Sequence, residues 1–599
     1  MNRLEITRRV EALRNYMREH ALAAFIFPST DPHNGEYVPE HWMTRQWISG
    51  FNGRAGTAVV TLTDAALWTD SRYFLAATEQ LEGTPFQLMR ERVPGTPAIG
   101  EWLKGQLKAG ETVGIDGWVN SVEQASGLRQ ELQAGGIELD TSLDPAGELW
   151  TDRPPVPANP VEIQPIEFAG ESAASKLTRI REQIKAAGAE MTVICPLDEI
   201  AWICNLRGTD VHCNPVFVSY LTISQQSATL YVDPQKLTPE VTGYLQDEGI
   251  STQPYEALPQ TLAHTQPCTM LIDPQSCNCR VLPPDGMGWS IVSRSSLIAP
   301  MKAIKNEAER EGFRQAMLHD GVALVKFLRW LKPAVQAGHE TEMSVDARLT
   351  ALRAEQPLYR DISFDTIAGY AHHGAIVHYE ASKETDIPLE PHGLLLLDSG
   401  AQYQNGTTDI TRTIPLGALT EEECTDYTLV LKGHIRLAMA KFPVGTCGTQ
   451  LDVLARYAMW QHGINYGHGT GHGVGSYLCV HEGPHQIRKD LRACTLQPFA
   501  PGMLVTDEPG IYVAGRFGVR IENVLLCVAD RITDFGTFLR FDTLTLCPYD
   551  LRAVERDLLS ADDVRHINAY HQRVRLTLTP HLSDPADRAW LAQATAPLA

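Results

Sequence analysis

Residues 394–413 read LLLLDSGAQYQNGTTDITRT, an apolar run that ends in an aspartate, then a turn signal, then a second aspartate. Asp398 closes the run and Asp409 lies beyond the Asn405-Gly406 pair, so two neighbouring strands would carry the two carboxylates. Their parity puts both on one face. A tight turn at Asn405-Gly406 leaves them four positions out of register, roughly 13 Å at strand rise, too far to share one centre. A wider loop or a bulge between them is therefore expected.

Three more groups fit the same pattern downstream. His472 lies in HGTGHGVG (468–475), where alternate glycines argue against a helix and for a loop or strand edge that something approaches closely. Glu508 in VTDEPGIY precedes Pro509, so it is presented from an extended segment. Glu522 in GVRIENVLL falls within a buried strand pattern, where a carboxylate costs several kcal/mol unless a cation or donor meets it.

Taken singly, a strand-end aspartate commonly caps a turn and a strand glutamate commonly faces solvent. Together the four acids would repel one another until some were neutral. Two divalent cations remove that difficulty. Carboxylates with one imidazole are hard ligands, which points to manganese, with cobalt or zinc as alternatives. Two metals about 3.5 to 4 Å apart can share a hydroxide acidic enough to attack a carbonyl at neutral pH. The expected chemistry is metal-assisted hydrolysis.

The rest of the chain sets the frame. With 599 residues it needs several cores. No window approaches a membrane span, and the start, MNRLEITRRVEALRNYMREH, lacks the apolar core of a secretory signal. A cytoplasmic location is the expectation. The net charge of -21 disfavours nucleic acid and anionic membrane as partners. The twelve cysteines begin only at Cys195 and show no CxxC spacing, so free thiols are expected, including the evenly spaced Cys195, Cys204 and Cys213.

A helical pattern with Leu4, Val10, Leu13, Tyr16 and Met17 on one face precedes the strand-like AAFIFP, and KLTRIREQIKAAGAE followed by MTVICP repeats that order later. Each copy then carries W-I-x-x-[FL]-x-G, from Trp47 to Gly53 and from Trp202 to Gly208, and two strand-like runs. This is a duplicated α/β domain. The proline-rich Asp152–Phe168 stretch separates the copies. A charged helix from Lys305 opens the third region, which holds all the candidate chemistry, and the last 60 or so residues read as a short strand and two amphipathic helices.

These residues match a known pattern. The order Asp, Asp, His, Glu, Glu with gaps of 11, 63, 36 and 14 resembles the pita-bread metallopeptidases, family M24, and within it the long three-domain Xaa-Pro aminopeptidases. PSTDPHNGEYVPEHWMTRQWISGFNGRAGTAVV, LDEIAWICNLRGTDVHCNPVF, GAIVHYEAS and the tail are similar to that form too. The likeness implies an α/β (α+β) chain with two creatinase-like domains, 1–155 and 156–304, a catalytic domain, 305–536, and an extension, 537–599, for packing or a dimer interface.

By this likeness Asp398 is terminal on one metal, Asp409 and Glu522 bridge, and His472 with Glu508 completes the other. Glu508 doubles as general base and acid. His468 would donate toward the scissile carbonyl, His378 and His481 would contact the proline end of the substrate, and Arg520 would brace a ligand carboxylate. The glycines around His472 would let substrate backbone come close. The implied substrate is a peptide with proline at position two, and the implied assembly a homodimer. Departures from the pattern are His372 and His373 in AHHGA and Ile511 in EPGIY. The competing readings are an Xaa-Pro dipeptidase (prolidase), which shares the ligands, and a non-catalytic peptide-binding protein on the same fold. Creatinase uses the fold without metals and would not need five intact ligands.

Overall fold

The computed structural model describes residues 3–283 and 286–599, and its contacts divide the chain into two compact units, Met1–Ile166 with Glu171–Ile298, and Glu167–Gly170 with Ala299–Ala599. The first unit holds two six-stranded sheets. Strands β1 (Ala24–Phe27), β2 (Thr57–Thr61), β3 (Ala65–Thr69), β4 (Gln87–Arg90), β5 (Thr112–Ile115) and β6 (Glu138–Asp140) lie in the order β4-β3-β2-β1-β5-β6. Strands β7 (Met191–Ile194), β8 (Ser219–Ser224), β9 (Ala228–Val232), β10 (Ser251–Gln253), β11 (Thr269–Ile272) and β12 (Ser290–Ser293) lie in the order β10-β9-β8-β7-β11-β12. The two orders are the same. So are the strand senses, antiparallel through the middle hairpins and parallel at both flanks.

Each sheet follows an amphipathic helix, Arg3–Glu19 or Ala173–Ala186. The buried face of the first is Ile6, Val10, Leu13, Tyr16 and Met17, while Leu4 is exposed. The repeated Trp-Ile motif has a physical cause. In each copy it closes a short helix, Thr44–Ser49 or Leu197–Cys204, and its fourth residue is a left-handed C-cap, Gly50 at φ 77° or Asn205 at φ 49°. Glycine and asparagine adopt that conformation at least cost. The closing glycine is a close approach: a Cβ on Gly53 would overlap the Phe51 ring, and one on Gly208 would lie 2.8 Å from Phe217.

In the second unit the helix Glu307–Ala337 continues past the charged pattern and through Pro333. Two antiparallel sheets carry or border the acidic candidate ligands. One has Ile367–Tyr370, Leu394–Ser399 and Ile410–Pro415; the other has Lys441–Pro443, Gly536–Thr543, Asn523–Thr533 and Leu504–Asp507. His472 lies in a separate two-stranded sheet, Gly471–Gly473 with Glu482–Ile487. The four leucines are covered on both faces, which is why they do not alternate with polar residues. Leu395 and Leu397 pack with Phe327 and Leu349, Leu394 with Val430 and Val519, and Leu396 with Ile367 and Tyr379.

The aspartate hairpin corrects one expectation. Tyr403 pairs with Gly406 and Gln402 with Thr407, so the two-residue turn is Gln404-Asn405 and not Asn405-Gly406. The same register continues to Asp398 opposite Thr411. Asp409 is thus two positions from the partner of Asp398, about 6.6 Å along a strand, and no wider loop or bulge is required. Gly406 is needed for another reason: the long helix packs on it, and a Cβ there would lie 3.2 Å from Ala316.

The strand before the tail is not short, since Gly536–Thr543 has eight residues. The tail helices, Ala561–Leu578 and Pro585–Ala594, bury Val564, Ile567, Tyr570, Val574, Leu578 and Leu591 in the core of this unit. All twelve cysteines are free, with Cys195, Cys204 and Cys213 buried. Among the described residues no helix is long and apolar enough to cross a membrane.

Candidate metal centre

Three of the five candidate ligands stand where regular strands break. Asp398 is within Leu394–Ser399 and His472 is the middle of Gly471–Gly473. Asp409 immediately precedes Ile410–Pro415, and Glu508 falls between Leu504–Asp507 and Gly510–Val513. Glu522 does not lie inside a strand as expected. It sits between Phe517–Arg520 and Asn523–Thr533, where the chain leaves one pairing partner, Gly510–Val513, for another, Leu504–Asp507. Its N–H donates to Thr411 O at 3.0 Å, which ties this break to the aspartate hairpin. Breaks free the side chains from strict alternation and let them turn to one point.

The glycines around His472 serve the protein's own backbone. A Cβ on Gly471 would overlap the Thr506 carbonyl, and one on Gly473 the Glu482 carbonyl. Neighbouring strands make this close approach. The result is a fixed imidazole: the His472 N–H donates to Thr506 Oγ1 at 3.1 Å, and Nδ1 lies 2.8 Å from Gly473 O.

Asp409, His472 and Glu522 each offer a ligand atom within 4.8 Å of the other two. His472 Nε2 is 3.4 Å from Asp409 Oδ2 and 3.7 Å from Glu508 Oε1. These spacings resemble donors around a common ion with legs of about 2.1 Å. With Nδ1–H given to Gly473 O, the Nε2 lone pair faces carboxylate oxygens, an arrangement that repels until a cation stands between them. Asp398 Oδ2 accepts from Arg520 Nη2 at 2.5 Å and Nε at 3.1 Å, while Oδ1 is buried with no hydrogen-bond partner among the described residues. Thr411 Oγ1 donates to Glu522 Oε2 at 2.8 Å.

The electrostatics point the same way. Burial, then repulsion from Asp398, pushes the Asp409 carboxyl up to about 7. Burial likewise pushes Glu508 to about 7 against the pull of His472, and Glu522 is raised by burial and by Asp409, Asp398 and Glu508. A protein does not stably hold this many carboxylates on one spot for packing alone. The donor set, oxygen-rich with one imidazole, fits two hard divalent cations.

The surrounding groups expected from the sequence are brought to this cluster to different degrees. The His481 ring meets the His472 ring edge-on, with centroids 4.4 Å apart. Arg520 is ion-paired with Asp398. His468 is 3.9 Å from Glu508 Oε2 through Nδ1, which also lies 2.7 Å from Gly469 O, and its Nε2 is 2.7 Å from the Tyr512 hydroxyl. His378 stands one loop back, half-buried in the turn after Ala371–Ala375, where the preceding Val377 carbonyl accepts from Arg520 Nη2 at 3.4 Å.

Against this geometry the comparisons with known proteins can be read. A model of metallopeptidase family M24 matches residues 311–529, and a model of its C-terminal region matches 537–598. Two models of the creatinase/prolidase N-terminal domain match 9–145 and 152–309. Aminopeptidase P1 of Lotus japonicus is 38% identical over 98% of this chain and 99% of its own length. Xaa-Pro aminopeptidase 1 of Dictyostelium discoideum is 37% identical over 100% and 97%. The chain belongs to the Xaa-Pro aminopeptidases of metallopeptidase family M24. The X-prolyl aminopeptidase of Caenorhabditis elegans, described as a cytosolic enzyme with a di-nuclear active site, superposes with a TM-score of 0.95 at 33% identity, over 100% of both chains. The fold is therefore two creatinase N-terminal domains followed by the pita-bread domain of this family.

One residue of this Xaa-Pro aminopeptidase site escapes a sequence reading. EPGIY draws attention to Ile511, which lies in the core, whereas its neighbour Tyr512 joins two of the candidate groups, His468 and Arg520. Arg520 Nη1 donates to the Tyr512 hydroxyl at 2.8 Å, which leaves the hydroxyl proton for His468 Nε2. Both His468 nitrogens are thereby engaged by the protein. Gly510 is the local signal: a Cβ there would lie 2.5 Å from the Tyr512 oxygen. Tyr512→Phe is expected to lower kcat about tenfold with metal content unchanged, as measured by steady-state kinetics and elemental analysis. Loss of metal in this variant would assign Tyr512 to the ligand scaffold instead.

Proposed function

We propose that this chain removes the N-terminal residue from peptides whose second residue is proline, with Asp398, Asp409, His472, Glu508 and Glu522 holding two divalent cations. The observation that carries the reading is the buried convergence of Asp409, His472 and Glu522 beside the unpaired Asp398 Oδ1. Asp409 and Glu522 are adjacent, the charge of Asp409 raising Glu522 while the Glu522 side chain hydrogen-bonds Asp409, and this is the pair suited to be shared between the metals. Bound cations would supply an acidified water and a Lewis acid for the scissile carbonyl. Manganese suits the oxygen-rich ligand set.

The chain's own groups do the rest. Glu508, half-buried at the edge of the cluster, is placed to take a proton from water and return it to the leaving proline nitrogen. Arg520 and Tyr512 hold the His468 ring beside Glu508, and a turn of the Tyr512 hydroxyl or release of Gly469 O frees one O–H or N–H for the developing oxyanion. His481 and His378 flank the proline end. Relatives matched along their full length carry the aminopeptidase name, which favours this activity over dipeptidase action.

We also propose a cytosolic homodimer and a four-part division at 155/156, 304/305 and 536/537. The tail helices turn most of their apolar side chains inward, Leu576 excepted, so they offer little to a dimer. Val453, Tyr457 and Trp460, on one face of Gly448–Trp460, are exposed apolar side chains that suit a second copy.

A peptide panel tests the activity. Xaa-Pro-Pro should be cleaved and Xaa-Ala-Pro spared, with loss on chelation and recovery with manganese. Cleavage of Xaa-Pro dipeptides alone would make the protein a prolidase, and cleavage indifferent to chelator would remove the metal reading.

A further inference from the structure

Behind the His378 turn lies a buried carboxylate that the proposed chemistry does not use. Glu342, first residue of the helix Glu342–Ala354, is fully buried. Its carboxylate accepts from the Tyr370 N–H at 2.8 Å and the Tyr379 hydroxyl at 2.8 Å, and His373 Nδ1 lies 2.9 Å from both of its oxygens. The His373 ring also stacks on Tyr379, with centroids 4.2 Å apart at 27°. The three donors bracket the ten-residue segment that carries His378. One carboxylate therefore gathers both ends of that segment.

The segment is held on its other side by the metal-site strand. A Cβ on Gly518 would overlap the Gly374 carbonyl, so the two backbones are in direct contact two residues before Arg520. Arg520 Nη2 then donates to Val377 O and to Asp398 Oδ2. The position of His378 is thus defined between Glu342 and the Arg520–Asp398 pair. The His373 ring supplies both a donor and a flat surface, and a smaller residue would supply neither together.

We propose that His373 is a positioning residue for substrate: by anchoring the 370–379 segment to Glu342 it fixes where His378 meets the proline end of the peptide. This rests on the reading of His378 given above. A purely structural histidine would change how much protein folds and leave the KM of the folded fraction alone. A positioning residue changes KM.

The test uses the full-length, manganese-loaded protein and an Xaa-Pro-Pro peptide. His373→Phe keeps the stack on Tyr379 and removes the donor. It is expected to raise KM about tenfold, with kcat within about twofold and metal content unchanged. His373→Asn, which keeps an N–H, should recover part of that loss. In a His378→Ala background the His373→Phe change should add nothing further, because both act through one contact. Should His373→Phe fail to fold, Tyr379→Phe removes one hydroxyl from the same carboxylate and is read in the same way. A normal KM in His378→Ala overturns the reading of His378 and this proposal with it. A raised KM in His378→Ala beside a normal KM in His373→Phe, or full additivity of the two, overturns the proposal alone.

Discussion

Asp409→Asn is expected to lower kcat/KM on an Xaa-Pro-Pro peptide by about a thousandfold or more and to leave the purified protein short of stoichiometric metal. The change is isosteric and removes a charge from a crowded acidic cluster, so folding should survive it. What it destroys is the role of Asp409 as the carboxylate that touches both His472 and Glu522. Either Oδ2 becomes an NH2 aimed at a cation, or the amide turns and presents that NH2 elsewhere in the cluster. Loss of a group that merely supports a ligand typically costs 10- to 100-fold, and a shared ligand should cost more. Thr411→Val provides the comparison, since its hydroxyl donates to Glu522 and accepts from Arg520 Nε. It should fall in the smaller range. Kinetics with elemental analysis decides: an Asp409→Asn protein that keeps its metal and its rate would remove Asp409 from the ligand set.

How much of this site a reader could see in the sequence depended on the range of the forces involved. The four acidic candidate ligands were legible because carboxylates beside apolar runs are costly wherever they fall, and His472 because alternate glycines rule out a helix around it. The duplicated sheets were legible through a local device, the left-handed cap after Trp-Ile that both copies need. The hairpin turn was misjudged because Gly406 answers to Ala316, ninety residues upstream in the sequence, and not to turn geometry. The same holds for the buried Lys302 and Lys305, both bonded to Glu482 next to His481. Nothing near Glu482 in the chain announces two lysines nearly two hundred residues away.

The tail is a further case of long-range dependence. Its helices looked like packing material, yet Tyr570 accepts from Arg412 Nη2 at 3.2 Å. Arg412 Nη1 in turn donates to Thr411 O at 3.0 Å and Glu522 O at 2.8 Å. A buried cation thus clamps together the backbones that carry Asp409 and Glu522, and the tail closes over it. The extension is part of what holds the ligand geometry.

Metal-free protein should lose stability as pH rises from about 4.5 to 7. Burial raises Asp409 from 3.8, and Glu508 from 4.5, to about 7. Between those limits the folded state retains protons that the unfolded state has released, so rising pH favours unfolding. The penalty is complete above about 7. For interacting groups it should amount to a few kcal/mol in total, smaller than the two shifts taken separately. Bound divalent cations reverse the balance by favouring the ionised carboxylates, so added manganese should stabilise most at the upper end of the range. Asp409→Asn should be more stable than the parent chain at pH 8 without metal, although it is the less active protein. Urea unfolding at pH 5.5 and 8, with chelator and with manganese, measures both effects. A chelated parent chain as stable at pH 8 as at pH 5.5 would mean that these carboxylates do not crowd one another, and the need for a pair of cations would vanish with the crowding.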